Sequence, residues 1–204
     1  MAASTDAALD RTTLLRGAAA GAVAYLLGYL VTYAWRAPAV DESLQGINFV
    51  AELLGGQTVP TWKAVGWLYY NGHVVATRVP AIGGGDRMVD FVAQSDDGSL
   101  VLLYALVPVV LVLAGAAVAR YGNADRPGTA AAAGAAVVAG YLPLAVVGAF
   151  LVGHAFAEGV RVAPDLVTAV ALAGVVYPAF FGAVGGAGGG GLSGALGRRS
   201  RATV

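Results

Sequence analysis

Four apolar segments dominate the chain, and a long, more polar stretch separates the first of them from the second. The segments are residues 14–35, 100–119, 129–153 and 166–184. A helix rises about 1.5 Å per residue, so about 20 residues cover a hydrocarbon core of roughly 30 Å. The pattern predicts an all-α membrane protein with four transmembrane helices in a single domain over residues 14–184.

The insertion between the first two segments, residues 37–99, shows apolar residues at helical spacing in two places. They recur every three or four positions from Leu44 to Leu54, and Gly55-Gly56 would stop such a helix. The second place, Trp62 to Thr77, is rich in Trp and Tyr, whose amphipathic rings favour the headgroup zone. We expect two short amphipathic helices on the outer membrane surface or across the mouth of the helix bundle.

Polar tails flank the apolar domain. Residues 1–13 form a short tail, and residues 185–204 form a glycine-rich tail that ends in Arg198-Arg199-Ser200-Arg201. Glycine-rich segments behave as flexible linkers, and arginine clusters are attracted to the anionic bilayer surface. We expect both tails in the cytoplasm, the second of them as a flexible linker with a basic patch.

The first apolar segment has an alternative interpretation as a secretory signal peptide. Arg11 and Arg16 precede its apolar region, and Ala37-Pro38-Ala39 follows it. However, the apolar region is longer than the usual length of about 7–15 residues, and it contains three bulky tyrosines. A membrane span is the better interpretation.

The basic residues predict which side of the membrane each loop occupies. With both termini inside, seven arginines lie on the cytoplasmic side and five basic residues lie on the outer side. The inner segments are also shorter, and basic residues in short loops near the membrane determine orientation. We expect a multi-pass protein of the cell membrane with both termini in the cytoplasm and the insertion outside.

Composition argues against several classes of function. The chain is 58% hydrophobic and only 12% charged, with a mean hydropathy of +0.72, whereas soluble domains are about 25% charged. Zero net charge argues against nucleic-acid binding, and the lack of cysteine removes thiolate metal sites and thiol nucleophiles. No Asp, Glu, Lys, Arg or His lies in the centre of a predicted span, which disfavours ion-coupled transport and proton relays. We expect a lipid bilayer as the partner, no cofactor and no catalytic residue.

Prolines and tyrosines at similar depths suggest a candidate pocket. Three spans contain a proline, which frees the carbonyl four residues before it, and tyrosines lie near each proline and along the first span. The residues are Tyr29, Tyr33, Tyr104, Pro108, Tyr141, Pro143, Tyr177 and Pro178. One hypothesis is a polar pocket that they line and that opens outward beneath the insertion. The other is that membrane helices tolerate these prolines and that the tyrosines fill the kinks.

The densest aromatic stretch lies in the second predicted helix of the insertion. It contains Trp62, Trp67, Tyr69 and Tyr70. These side chains are typical of an anchor in the membrane interface. A functional alternative is a lid over the bundle, or a docking surface for another membrane protein or a second copy. Neither paired carboxylates nor nucleophile–base spacing indicates catalysis.

The two histidines provide a weak candidate for a metal site. His154 and Glu158 stand four residues apart, and His73 lies on the same predicted side of the membrane. Two histidines and a carboxylate can ligate zinc. The histidines are far apart in sequence and no HExxH motif is present, so we expect no metal.

Pairs of small residues four positions apart recur in the spans. They are Gly17 and Gly21, Ala24 and Gly28, Ala136 and Gly140, and Ala169 and Ala173. Such pairs let two helices approach closely, so we expect tight helix packing.

Three patterns resemble an uncharacterised family of haloarchaeal multi-pass membrane proteins. They are Leu26-Leu27-Gly28-Tyr29-Leu30-Val31-Thr32-Tyr33, Ala64-Val65-Gly66-Trp67-Leu68-Tyr69-Tyr70-Asn71-Gly72-His73 and Gly98-Ser99-Leu100. The resemblance implies a host and a membrane location but no activity. We expect a small non-enzymatic membrane protein, an accessory or permease-like subunit that acts through its outer insertion. The alternative is a passive carrier or channel for a small neutral or cationic solute, and a membrane enzyme comes third.

Overall fold

The computed structural model describes residues 10–53, 55–81, 84–122, 124, 126–157 and 160–201, with the backbone alone at 157 and 191–201. Within these residues the chain is mostly helical, with seven α-helices and four short β-strands. The helices are α1 (Arg11–Leu53), α2 (Thr61–Asn71), α3 (Leu103–Tyr121), α4 (Pro127–Ala135), α5 (Val138–Leu151), α6 (Leu166–Thr168) and α7 (Tyr177–Arg201). A 3-10 turn at Gly98–Leu102 precedes α3, and a π-helical segment at Ala169–Val176 joins α6 to α7.

Four helical segments of the described chain are long and apolar enough to cross a membrane. They are Arg11–Leu53, Gly98–Tyr121, Pro127–Leu151 and Leu166–Gly190. Each predicted span falls on one of these segments, although the third ends two residues before the predicted boundary. The predicted set of four membrane-length helices is confirmed.

The first helix, α1, is much longer than predicted and continues through Pro38 to Leu53. Its 43 residues correspond to a length of about 65 Å. Pro38 lies inside the helix and has no N–H to donate to the carbonyl of Ala34. The expected separate helix in this part of the insertion is therefore wrong, and its last predicted residue, Leu54, lies outside the described residues.

Contacts with the following segment hold the distal part of α1, residues 39–53, in helical form. The side chain of Asn48 donates to the carbonyl of Val59 at 3.1 Å and accepts from the amide of Val59 at 2.8 Å. Thr61 Oγ1 donates to Asp41 Oδ1 at 2.6 Å. These tertiary contacts offset the backbone bond that the proline removes.

The glycine-rich segment after residue 184 is also helical, because α7 runs on to Arg201. The prediction of a flexible linker there is wrong, and residues 202–204, like residues 1–9 of the first tail, lie outside the described residues. A Cβ on Gly185 would overlap the carbonyl oxygen of Val112 in α3, and one on Gly186 would overlap that of Ala130 in α4. These glycines therefore permit close helix packing.

A four-stranded antiparallel sheet corrects the all-α assignment. Its strands are β1 (Thr77–Pro80), β2 (Asp86–Val89), β3 (His154–Ala157) and β4 (Val160–Pro164), in the order β2-β1-β4-β3. Two hairpins, β1–β2 and β3–β4, join because Thr77 and Arg78 pair with Pro164 and Ala163. The insertion is therefore completed by residues that lie between the third and fourth spans.

The chain forms two compact units. The first comprises Leu26 and the residues before it, Pro108–Leu144, and the residues from Gly174 onward. The second comprises Leu27–Val107 and Ala145–Ala173.

The first unit is built on close contacts between small residues. A Cβ on Gly21 would overlap the carbonyl oxygen of Val137, and one on Gly140 would overlap that of Ala18. Helix backbones touch directly at these points. The predicted role of two of the small-residue pairs, Gly17 with Gly21 and Ala136 with Gly140, is therefore confirmed.

The second unit is built around α2, in which every residue from Ala64 to Asn71 is buried. Leu68 of α2 packs in a cluster with Val92, Leu100 and Leu103. The distal part of α1 and the whole sheet belong to this unit as well. It therefore contains most of the polar and aromatic residues that the sequence offers for function.

Candidate binding groove

The helix α2 is held by hydrogen bonds from its own side chains to backbone carbonyls of residues 145–153. The donors are Lys63 Nζ to Gly153 at 2.7 Å, Trp67 Nε1 to Val152 at 2.9 Å and the Tyr70 hydroxyl to Ala145. In addition, a Cβ on Gly66 would overlap the side chain of Val152, so the backbone of α2 lies directly against this segment. The aromatic polar groups thus find partners inside the protein.

The residues predicted to anchor or dock the insertion are mostly inside the second unit. Trp67, Tyr69 and Tyr70 are 6%, 1% and 1% exposed, and only Trp62 is substantially exposed, at 41%. The helix predicted from Trp62 to Thr77 is present as Thr61–Asn71, but it is buried in the second unit, and three of the four expected contact residues are covered. Aromatic residues at this density serve the core here because their N–H and O–H groups are hydrogen-bonded to the backbone.

Asn71, the last residue of α2, ties the helix to the two segments that follow. Its side chain donates to the carbonyl of Val75 at 2.8 Å and to Thr77 Oγ1 at 3.4 Å. Its Oδ1 accepts from the amide of Phe91 at 2.9 Å. Asn71 is fully buried, so these bonds are the means by which its amide is satisfied.

The histidines do not form a metal site with each other in the described structure. His73 is fully buried with a ring nitrogen 2.8 Å from the carbonyl of Tyr69, and burial lowers its pKa to about 4, so it is neutral at pH 7. His154 lies in β3 against Phe156, and Glu158 lies outside the described residues. Among the described residues, no three His, Asp or Glu side chains lie close enough together to hold a metal ion.

The residues of the predicted tyrosine–proline pocket are divided between the two units. Tyr29, Tyr33 and Tyr104 belong to the second unit, and the other five belong to the first. The Tyr29 hydroxyl donates to the carbonyl of Trp62 at 2.9 Å, and that of Tyr104 donates to Asp90 at 2.9 Å.

The remaining members of that predicted pocket lie in helices of the first unit. Tyr141 is buried and packs edge-on against Tyr25, with 5.2 Å between ring centroids, and Tyr177 packs against Phe181. The prolines lie within helices, Pro108 in α3, Pro143 in α5 and Pro178 in α7. None of the eight residues lines either of the two cavities described below.

A groove of about 610 Å³ lies within the second unit, lined by the distal part of α1, α2 and the sheet. Its volume is within the range of roughly 300–1,000 Å³ that is usual for small-molecule sites. Most of its lining is apolar, with Val40, Leu44, Trp67, Leu68, Phe91 and Phe156 among the larger side chains. Trp67 and Phe91 are stacked, with 6.3 Å between ring centroids. This groove is the candidate functional site.

A polar cluster of Arg36, Asp97 and Ser99 lies at the groove, with the first two among its lining residues. Arg36 Nη2 donates to Asp97 Oδ2 at 2.8 Å, and Nη1 donates to Ser99 Oγ at 3.1 Å. Hydrogen bonds from Ser99 and Arg36 lower the pKa of Asp97 to about 2, so this carboxylate is ionised at neutral pH. The third nitrogen of the guanidinium, Arg36 Nε, is buried and has no hydrogen-bond partner among the described residues.

The groove could not be predicted from the sequence because its lining comes from five separate stretches of chain. The strands that contribute Val79, Phe156 and Val162 were not predicted either. The one available signal was the density of aromatic residues from Trp62 to Tyr70, which indicated an unusual segment but not a cavity beside it.

A second cavity in the same unit, of about 330 Å³, is more polar. Arg78, Asp86 and Arg161 are among its lining residues. Arg78 is already paired, with Nη2 2.6 Å from Asp165 and Nε 3.7 Å from Asp86. Asp165 also accepts from the amide of Thr168 and so caps α6. The ion pairs at this cavity therefore join the sheet to the start of the fourth span.

Comparison with known proteins assigns the chain to a family. Residues 1–193 match the model of DUF7978, described as a family of unknown function. The chain belongs to this family. No curated protein and no solved structure matches the chain. The matched residues include the whole groove, but a family of unknown function assigns no role to it.

Proposed function

We propose that this protein is a non-enzymatic, permease-like membrane protein that binds a small, mainly apolar molecule in the groove of its second unit. The groove itself carries the proposal, because it combines a suitable volume, an apolar lining and one polar cluster. Sites for small molecules are usually apolar clefts with a few polar groups that fix orientation. This proposal moves the predicted solute site from the tyrosine–proline residues to the insertion.

The membrane setting of the proposal follows from the charge pattern. Four membrane-length helices support a bilayer location, and the distribution of basic residues supports cytoplasmic termini and an insertion outside the cell membrane. The resemblance to haloarchaeal membrane proteins supports a salt-rich exterior. In this arrangement the groove faces the outer side, where a solute arrives.

Quenching of Trp67 fluorescence tests whether the groove binds apolar molecules. Trp35→Phe and Trp62→Phe leave Trp67, which lines the groove, as the only tryptophan. In lipid nanodiscs we expect methyl 9,10-dibromostearate, whose bromines quench tryptophan, to quench it with saturation. Ala39→Phe places a larger side chain in the groove from an exposed lining position, and it should lower the affinity for the ester, obtained from the quenching curve, at least tenfold. Ala93→Phe, at an exposed position outside the lining, should leave this affinity unchanged. Equal quenching in the protein with Trp67 alone and in its Ala39→Phe and Ala93→Phe variants would show that the groove is not the binding site.

A second candidate function is that of an accessory subunit that associates with a second copy of this chain. It is favoured by exposed apolar residues at the end of α1. Ile47, Val50 and Leu53 follow each other at three-residue intervals and are 55%, 52% and 70% exposed. Residues at this spacing share one face of a helix, and symmetric dimers are the commonest protein assemblies.

Native mass spectrometry of the purified protein tests the second candidate. We expect a dimer that becomes a monomer in the double variant Val50→Glu and Leu53→Glu. Gln45→Glu adds a charge to an exposed position of the same helix and should leave the dimer intact. A monomer in the unsubstituted protein, or a dimer that survives both glutamates, would contradict this function.

A further inference from the structure

Arg161 brings an exposed guanidinium without a counter-charge to the second cavity, the one of about 330 Å³. It lines this cavity and is an exposed residue. Among the residues that the structure describes it forms no ion pair, whereas Arg78, in the same lining, is paired with Asp165 and Asp86. A Cβ on Gly153 would overlap Arg161 Nη2, so the guanidinium lies against the chain just beyond the end of α5.

The strand register places Arg78 and Arg161 on one face of the sheet. Arg78 lies directly opposite Ala163, and Arg161 is two residues from Ala163 on the same strand. Diagonal neighbours in an antiparallel pair lie about 7–8 Å apart, within reach of long side chains, and the small Ala163 leaves space between them. Val79 and Val162, which alternate with these residues, line the groove. The cavity therefore lies on the opposite face of the sheet from the groove.

The cavity also lies where two membrane-length helices meet the sheet. Ala149 and Phe150, near the end of Pro127–Leu151, and Leu166, the first residue of Leu166–Gly190, are among its lining residues. Spans end where the hydrocarbon core gives way to the lipid headgroups. Phe150 and Leu166 are 56% and 39% exposed, so apolar surface adjoins the arginines at this level.

We propose that the second cavity binds the phosphate group of a membrane phospholipid, held by Arg161 and Arg78, with the lipid chains against Phe150 and Leu166. The inference rests on the membrane location in the proposed function. It does not involve the groove.

The charges in the cavity favour a phosphate. Guanidinium groups bind phosphate oxygens in a bidentate geometry. Asp86 also lines the cavity, but its carboxylate lies 3.7 Å from Arg78 Nε and so offsets the charge of that residue. The charge of Arg161 is not offset by any described residue, and a phosphate would supply the missing counter-charge. Basic residues close to a bilayer surface attract anionic lipids for the same reason.

Three probes test this inference in the unsubstituted protein, each titrated into the protein in detergent and followed by native mass spectrometry. They are dioleoylphosphatidylglycerol, dioleoylglycerol, which has the same chains without the phosphate, and glycerol 3-phosphate, which has the phosphate without the chains. We expect dioleoylphosphatidylglycerol to bind at least tenfold more tightly than either of the others, the effect of one or more hydrogen bonds between charged groups. This comparison does not depend on a variant that folds.

Arg161→Gln then tests the residue itself. It removes the charge, and we expect the affinity for dioleoylphosphatidylglycerol to fall about tenfold while that for dioleoylglycerol is unchanged. Arg87→Gln is the matched control, because Arg87 is an exposed residue of the same sheet outside the cavity lining, and it should change neither affinity.

Ala163→Leu tests the cavity without changing any charge. The larger side chain takes up the space between Arg78 and Arg161, and we expect it to weaken the binding of dioleoylphosphatidylglycerol about tenfold. Ala93→Leu, at an exposed position outside the lining, should have no effect.

The possible outcomes separate this inference from the binding of apolar molecules in the groove. Equal affinities for dioleoylphosphatidylglycerol and dioleoylglycerol, or equal losses in Arg161→Gln and Arg87→Gln, would overturn the phosphate site. Glycerol 3-phosphate binding as tightly as the phospholipid would overturn it in favour of a soluble phosphate. In the protein with Trp67 as its only tryptophan, Arg161→Gln should leave the quenching by methyl 9,10-dibromostearate unchanged. If that quenching never saturates but phospholipid binding depends on Arg161, the groove proposal fails and the phosphate site stands.

Discussion

Gly185→Ala should lower the free energy of unfolding by about 3 kcal/mol, although it adds only one methyl group. In the structure this methyl would overlap the carbonyl oxygen of Val112, so α3 and α7 would have to separate within the first unit. Backbone cannot move aside as a flexible side chain can, and overpacking of this kind is costly. For a chain of about 200 residues, the loss corresponds to a decrease in melting temperature of roughly 6–12 °C.

Gly188→Ala is the matched control for this prediction, and it should have the opposite sign. Gly188 lies one turn further along the same helix, and a Cβ there would meet nothing within 4 Å. Replacing a helical glycine by alanine without a clash stabilises a helix by about 0.5–1 kcal/mol. Thermal unfolding in detergent, followed by tryptophan fluorescence, measures both variants. Equal melting temperatures for Gly185→Ala and Gly188→Ala would contradict the close packing of α3 and α7.

Asn71→Ala should destabilise the second unit by about 3 kcal/mol, because it leaves several buried polar groups without partners. The substitution removes the acceptor of the Phe91 amide and the donor to the carbonyl of Val75, both at distances below 3 Å. Alanine cannot replace either bond, and water has no access because Asn71 and Thr77 are fully buried. Phe91 lines the groove, so probe binding should weaken as well.

Unfolding in increasing SDS, with the protein in mixed micelles, measures the effect of Asn71→Ala. Gln94→Ala is the control, since Gln94 is exposed and its side chain should contribute less than about 0.5 kcal/mol. A change for Asn71→Ala as small as that of the control would mean that these hydrogen bonds do not stabilise the fold.

The four membrane-length helices could be predicted from the sequence because a long apolar run is a local property of the chain. A run of about 20 apolar residues has few alternatives to a spanning helix, and the runs at 100–119 and 166–184 lie fully inside the observed helical segments. The small-residue pairs were also readable, because close helix contact requires small side chains wherever it occurs.

The sheet could not be predicted because its strands are short and their partners are distant. Each strand has four or five residues, too few to show a clear alternation of apolar and polar positions. Thr77 pairs with Pro164, 87 positions later in the chain. Pairing over such a separation depends on the spans between the two hairpins, and no local pattern reports it.

The length of α1 and the burial of α2 could not be predicted for a related reason. Pro38 normally indicates the end of a helix, and only the contacts of Asn48 and Thr61 show why α1 continues. Trp67 and Tyr70 of α2 suit a membrane interface and a protein core equally well. They lie in the core because they donate to backbone carbonyls of residues 145–153, which are distant in sequence. The groove could not be predicted for the same reason. Its lining residues come together only because α1 continues past Pro38 and α2 is buried.

The side chains of α2 are synthesised well before the backbone carbonyls to which they donate. The hydrogen bonds of Lys63, Trp67 and Tyr70 reach residues that are made 75–90 positions later. At about 5–20 residues per second, α2 is complete for on the order of 5–20 s before its acceptors are synthesised. During that interval the side chains of Lys63, Trp67 and Tyr70 lack their carbonyl partners, and a nascent chain that stops before Ala145 never acquires them. The insertion therefore acquires these hydrogen bonds only after most of the third membrane-length helix, Pro127–Leu151, has been synthesised.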